Sequence, residues 1–240
     1  MSGKFSEIWV YLSASPLLGL TVTLAAYQGA YWIYAKANMN PLANPVAISV
    51  AALVALLWFT GTPYPVYFEG AQFVHFLLGP ATVALAVPLY ANLATLKKNL
   101  LPLGGALLAG SLTAAVSAVG IGWALGASRE TLLSLAPKSV TTPIAMGIAE
   151  KIGGLPSLTA VLVVCTGVLG AVLARGTLNL LRIEDHAVRG FAVGVAAHGI
   201  GTARAFQVSE TMGAFAGLAM GLNGLATAFL FPALLRLWGG

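Results

Sequence analysis

The run Ala136-Pro137-Lys138-Ser139-Val140-Thr141-Thr142-Pro143 places an ammonium, three hydroxyls and two prolines inside sequence that is otherwise almost pure hydrocarbon. An ionisable group within a membrane is costly, and broken helix is tolerated there only where protein or water covers the backbone. The chemistry these residues suit is anion binding. Pro137 and Pro143 interrupt the hydrogen-bond ladder and start a half-helix whose N-terminus attracts negative charge. Lys138 supplies the cation, and Ser139, Thr141 and Thr142 supply donors for carboxylate oxygens. The alternative is an interfacial lysine snorkelling beside an N-cap serine. Glu150 lies too far along a continuous helix to be a local partner for Lys138.

A second cluster, His198-Gly199-Ile200-Gly201-Thr202-Ala203-Arg204, has the same character. Gly199 and Gly201 permit close backbone approach or a helix break. His198 and Thr202 are four apart and share a face if the helix continues. His198 is suited to carrying a coupling proton, and Arg204 to clamping a carboxylate at two points. The competing reading makes the glycines packing residues, His198 a satisfied buried donor and Arg204 a snorkelling arginine. Asn223, inside an apolar run, either bridges helices or meets a substrate hydroxyl. Gly79-Pro80-Ala81-Thr82 is a further expected break at Pro80, Glu210 is expected to begin the last helix, and the charged loop Arg182 to His186 is read as solvated. No Walker lysine, zinc-binding helix motif or nucleophile elbow occurs, and the paired glycines lack a dinucleotide fingerprint. The expectation is therefore no catalytic residue, no metal and no cofactor, and a chain that is not an enzyme.

The elements that position these clusters follow from composition. Of 240 residues, 58% are hydrophobic and 8% charged, and mean hydropathy is +0.88. Soluble domains carry about 25% charged residues, so this is an integral protein of a lipid bilayer. Its formal charge of +5 is spread over loops without a basic stripe, which argues against nucleic-acid binding. The single cysteine, Cys165, excludes a disulfide framework. No cleavable leader is evident before the first apolar run.

A spanning helix needs about 20 apolar residues. Candidate spans are Ile8–Ile33, Pro45–Phe59, Phe73–Leu93, Leu101–Leu125, Leu132–Ala149, Leu155–Leu173, Ala187–Phe206 and Met212–Leu237. The fold expected is an all-α polytopic bundle of seven to eight spans with discontinuous or re-entrant helices, forming a single membrane domain over residues 1–240. The basic loops at Lys97-Lys98 and at Arg175, Arg182 and Arg189 should share the cytoplasmic face. Eight full crossings put them on opposite faces, whereas a re-entrant Leu132–Ala149 puts them on one. An internal echo pairs Leu78-Gly-Pro80 with Leu135-Ala-Pro137 at an offset of 57. A duplication would explain it, and so would chance in so apolar a chain.

At the two clusters the sequence resembles the LrgB/CidB family. The pieces that carry the resemblance are Pro137 to Pro143, Gly153-Gly-Leu-Pro-Ser-Leu-Thr159, Arg189-Gly190, Ala197-His198-Gly-Ile-Gly-Thr-Ala-Arg204 and Ala219-Met-Gly-Leu222. They occur in order from residue 70 to the C-terminus, and the spans over residues 1–69 match only in general character. The resemblance implies one of two roles. Bacterial members are described as antiholin-like regulators of murein hydrolase export and lysis, acting with a small LrgA/CidA-like membrane partner. The plastid relative resembles a glycolate/glycerate translocator, and some bacterial systems are linked to pyruvate uptake. The expected role is a carrier for small monocarboxylates in the bacterial inner membrane, a homodimer, with the anion held by Lys138, Ser139, Thr141, Thr142 and Arg204. The backbone at Gly199 and Gly201, the Thr202 hydroxyl, Asn223 and a proton on His198 would complete that site.

Overall fold

The computed structural model describes residues 16–77 and 93–237, with positions 80, 83 and 90 between them. The described residues are helical, without strands, and fall into two compact units divided after residue 84.

The first unit holds α1 (Pro16–Lys36), a 3₁₀ turn (Pro41–Ala43), α2 (Pro45–Thr60) and α3 (Tyr64–Phe76). Asn44 starts α2 by accepting from the N–H groups of Val46 and Ala47 at 2.9 and 3.2 Å. Pro45 at the first helical position needs no acceptor. Gly61, at φ 63°, ends α2 in the left-handed conformation that glycine adopts without strain. A Cβ on Gly19 of α1 would lie 2.6 Å from Tyr67 O of α3, so a glycine lets those backbones meet. Thr23 ties the same pair through the Tyr67 hydroxyl at 2.7 Å. Aromatic residues gather at helix ends: the Lys36 ammonium lies 3.8 Å from the Trp32 ring, and Tyr64 stacks on Phe68.

The second unit holds α4 (Leu93–Lys98), α5 (Leu100–Ala124), α6 (Arg129–Leu135), α7 (Thr142–Ile152), α8 (Pro156–Leu180), α9 (His186–Val208) and α10 (Glu210–Leu237). Among the described helices, α5, α8 and the 210–229 portion of α10 are long and apolar enough to cross a membrane. Of the remaining elements, α6, α7 and α9 take part in two hairpins. α6 and α7 form a hairpin: Leu155, just beyond α7, donates its N–H to Ser134 Oγ of α6 at 2.8 Å, and a Cβ on Gly154 would lie 3.0 Å from Ser134 N. Between Ser134 and Leu155 the chain therefore leaves and regains one level, turning at 136–141 and returning along α7.

α9 also doubles back, at His198, whose φ of 39° and ψ of −133° interrupt the helix. His186 Nδ1 and Ser209 Oγ, at the two ends of this element, lie 2.6 Å apart. A straight helix would separate them by about 33 Å. A Cβ on Gly201 would lie 2.8 Å from Val193 Cγ1, so the arms 186–197 and 199–208 pack closely through small residues. Each arm is about 15–18 Å long at 1.5 Å per residue, roughly half of a hydrocarbon core of about 30 Å. Gly190 and Gly194 place the first arm against the α10 backbone at Met212 and Ala216.

α8 relates the two hairpins. Its first turns meet the base of the α6–α7 hairpin, where Thr159 Oγ1 donates to Ser134 O at 3.2 Å. Its last turns meet the base of α9, where Leu178 packs with Val193, Ala205 and Met212. The hairpins thus insert from opposite ends of α8. α5 runs alongside both, with Leu107 against Phe191 and Val195 and Gly122 against Leu132 and Leu135. Lys97 and Lys98, at the start of α5, consequently lie on the same face as Arg175, Arg182 and Arg189. Leu132–Ala149 follows the re-entrant course that the basic loops suggested, whereas the expectation of Ala187–Phe206 as a span is corrected here: it doubles back at His198. In each of 129–180 and 186–237 a hairpin precedes a long helix, in opposite orientations; the Pro80–Pro137 echo has most of its first member outside the described residues.

Candidate functional site

The tip of the α6–α7 hairpin begins where Pro137, which has no N–H, cannot extend α6. Lys138 N donates to Leu135 O at 3.1 Å and Val140 N to Pro137 O at 3.2 Å, closing successive turns. Thr141 is extended and precedes α7 without a side-chain cap, and Pro143 falls in the first turn. Pro143 thus starts a helix, as the sequence suggested of a half-helix N-terminus. The first-turn N–H groups of Thr142 and Ile144 have no intrahelical acceptor. Lys138 is half-buried and donates to Ser139 Oγ at 3.3 Å, with Thr141 and Thr142 half-buried beside it.

The α9 tip is more enclosed. His198 is 4% exposed, and its Nε2 lies 2.9 Å from Val163 O of α8. A carbonyl only accepts, so Nε2 carries a proton. Gly167, one turn on in α8, makes room: a Cβ there would lie 2.7 Å from His198 Cε1. Thr202 returns its hydroxyl to His198 O at 2.8 Å. Gly199 and Ile200 are half-buried, while Gly201 is buried in the packing between the arms. The return arm 199–208 presents its own N-terminus at this tip.

The tips meet. Val140 of the first and Val163, the acceptor for His198 of the second, share one apolar cluster. Asn223 of α10, 1% exposed, ties both breaks together: its Nδ2 donates to Ser139 O at 3.2 Å and to Val195 O at 3.0 Å. Its Oδ1 accepts from Ser111 Oγ of α5 at 2.5 Å and from Thr227 Oγ1 at 3.4 Å. Two donors and two acceptor positions are all a carboxamide offers. Asn223 is a bridge between helix breaks, and its hydrogen-bonding groups are engaged in that role.

Arg204 is elsewhere. The reversal at His198 carries it down the return arm to a cavity of about 370 Å³ at the hairpin base. Arg175, His186 and Arg189 line the same cavity, and Lys138 does not. The structure therefore brings Lys138, Ser139, Thr141, Thr142, His198, Gly199 and Thr202 to the paired tips, and separates Arg204 from them. The Arg182–His186 loop is exposed, as the sequence suggested, and it also caps the helix that follows. Asp185 caps α9 through the N–H groups of Ala187 and Val188 at 2.7 and 3.0 Å, and His186 closes the hairpin. The residues missed by sequence reasoning are Ser111, Gly167, Arg175, His186 and Arg189. The i, i+4 pair Arg175–Asn179 and the i, i+3 pair His186–Arg189 could have flagged a shared polar face.

Long apolar helices, two half-depth hairpins from opposite ends and an ionisable cluster where their tips converge define a polytopic α-helical integral membrane protein with discontinuous helices. The LrgB-like family pattern matches residues 23–237, beginning well before residue 70. The chain belongs to the LrgB family. It is 36% identical to the uncharacterized protein YwbG of Bacillus subtilis over 219 residues, 91% of this chain and 97% of that one. It is 30% identical to the holin-like protein CidB of Staphylococcus epidermidis over 228 residues, 95% of this chain and 98% of CidB. CidB of Staphylococcus aureus is 28% identical over 222 residues, 92% of this chain and 96% of CidB. No solved structure matches the chain.

Proposed function

We propose that this protein carries small monocarboxylates of the glycolate, glycerate, lactate or pyruvate type across the bacterial inner membrane. The observation that supports this reading is the convergence of two oppositely inserted hairpin tips, each presenting a helix N-terminus, around Lys138. A carboxylate placed there meets an ammonium, the hydroxyls of Thr141 and Thr142, and backbone N–H groups aligned with two helix dipoles. Ser139 orients the ammonium. Thr202 and the backbone at Gly199 border the opposite side. His198 holds a proton on Nε2 and presents Nδ1, which suits it to taking up and releasing a coupling proton. Half-helices meeting in the bilayer around a site are the arrangement alternating-access carriers use, with one bundle moving against another. A homodimer and an LrgA/CidA-like partner belong to this proposal.

The second reading is an antiholin-like or holin-like regulator of lysis, and the similarity to the holin-like protein CidB favours it. Physically, a lytic pore needs polar stripes along helices that surround a wet lumen. Here the polar residues concentrate at two tips instead. The test is uptake of radiolabelled glycolate, lactate and pyruvate into proteoliposomes, with and without a pH gradient and an LrgA-like partner. The carrier reading expects saturable uptake that Lys138→Ala abolishes while the variant keeps its melting temperature. Folded protein with no saturable uptake under any of these conditions would overturn it in favour of the lysis-regulator reading.

A further inference from the structure

The cavity at the base of the α9 hairpin is a site in its own right. Four segments enclose it: the end of α8 with Arg175 and Asn179, the first arm of α9 with His186 and Arg189, the return arm with Arg204, and the start of α10 with Met212. Ala171, Ala174 and Ala205 in its wall leave the space open. Its volume of about 370 Å³ falls within the range of small-ligand pockets, about 300–1,000 Å³. Three guanidinium groups and an imidazole line it, and among the described residues no carboxylate does. Asp185, the acid next to His186, is committed to the α9 N-terminus.

One of the arginines is held in a fixed orientation. Arg189 donates from one terminal nitrogen to Ile183 O at 3.1 Å and from the other to Asn179 Oδ1 at 2.9 Å, which fixes its plane. A guanidinium has five N–H donors, so Arg189 retains donors beyond these two bonds. Arg204 donates to Gln207 at 3.1 Å. The floor, from Val193, Ala171 and Met212, is apolar. A basic rim over an apolar floor suits an anionic headgroup on a short hydrocarbon body. The cavity lies on the face that carries Lys97, Lys98 and Arg182, the face the positive-inside rule assigns to the cytoplasm.

We propose that this cavity is a second anion site, separate from the hairpin tips, which binds a phosphate- or carboxylate-bearing group at the cytoplasmic face. Such a group bridges both arms of the hairpin and the end of α8, so occupancy braces the hairpin base. The anion can come from solution or from an acidic lipid headgroup, and the two sources are separable.

The experiment uses the whole protein in nanodiscs. Melting temperature is followed in phosphatidylcholine discs against increasing inorganic phosphate. It is then compared between phosphatidylcholine and phosphatidylglycerol discs at fixed ionic strength, with matched chloride as the salt control. Arg175→Gln and Arg204→Gln are the test variants, because Arg189 also holds the loop together; Lys138→Ala is the control for the tips. The expected result is stabilisation by at least one anion source beyond the chloride control. Its half-saturating concentration should rise about tenfold or more in each arginine variant, the loss of one charge-assisted contact, and stay unchanged in Lys138→Ala. Stabilisation by phosphate in phosphatidylcholine discs identifies a soluble ligand, and stabilisation by phosphatidylglycerol alone identifies a lipid headgroup. No stabilisation by any source, or stabilisation that the arginine variants retain in full, overturns the proposal. Loss in Lys138→Ala but not in the arginine variants overturns it as well, by moving the site to the tips.

Discussion

Asn223→Ala is the substitution that most sharply tests how the two hairpins are held together. The side chain is 1% exposed and makes four hydrogen bonds, to Ser139 O, Val195 O, Ser111 Oγ and Thr227 Oγ1. Side-chain hydrogen bonds inside membrane proteins average about 0.6 kcal/mol each, so four contribute about 2.4 kcal/mol. Truncation also leaves two carbonyls at helix breaks without this donor, and an unsatisfied buried group costs about 1–3 kcal/mol where nothing replaces it. A loss of about 2–4 kcal/mol follows. Reversible unfolding in mixed micelles measures it for wild type, Asn223→Ala, Ser111→Ala and the double variant. The shared bond predicts a double variant less destabilised than the sum of the singles, by about 0.5–1.7 kcal/mol. Additive singles, or an Asn223→Ala loss below about 0.5 kcal/mol, would refute the bridging role.

Other substitutions probe the packing that sets the site. Gly194→Ala drives a methyl into the α10 backbone at Ala216 and should cost about 1–3 kcal/mol in the same unfolding assay, whereas Gly221→Ala, with open space around it, should be near neutral. Gly167→Ala presses on the His198 ring at 2.7 Å; the ring should leave Val163 O, so proteoliposome uptake should fall steeply for a stability loss of only about 1 kcal/mol. Arg189→Gln gives up the contacts to Ile183 O and Asn179, and hydrogen exchange should rise in the 181–186 loop while the 136–141 tip keeps its protection.

Much of the architecture could be read from residue types. The prolines of the 136–143 run announced a break, since proline removes a donor wherever it falls, and Glu210 opens the last helix as its charge suits the N-terminal dipole. The basic loops at 97–98 and 175–189 demanded an uncrossed segment between them. The reversal at His198 was less legible. His198 takes a positive φ although the glycines follow it, and a histidine in that conformation has no local signature; the tight arm packing at Gly201 and the bond to Val163 O are what hold it. For the same reason Arg204 read as a neighbour of the first cluster, because a sequence shows spacing along a helix but not a helix folding back. Asn223 could be flagged as a buried amide, but its partners lie 28, 84 and 112 residues away, beyond any local pattern.

The central claim is that the two hairpins enter from opposite faces so that their tips meet. In a Cys165→Ser background, single cysteines at Arg129, Ser157, Glu184 and Glu210, all exposed, are challenged with a membrane-impermeant thiol reagent in right-side-out and inverted vesicles. The account predicts that positions 184 and 210 label from one face, and positions 129 and 157 from the other. Labelling of 184 and 210 from opposite faces would make α9 a crossing helix and contradict the account.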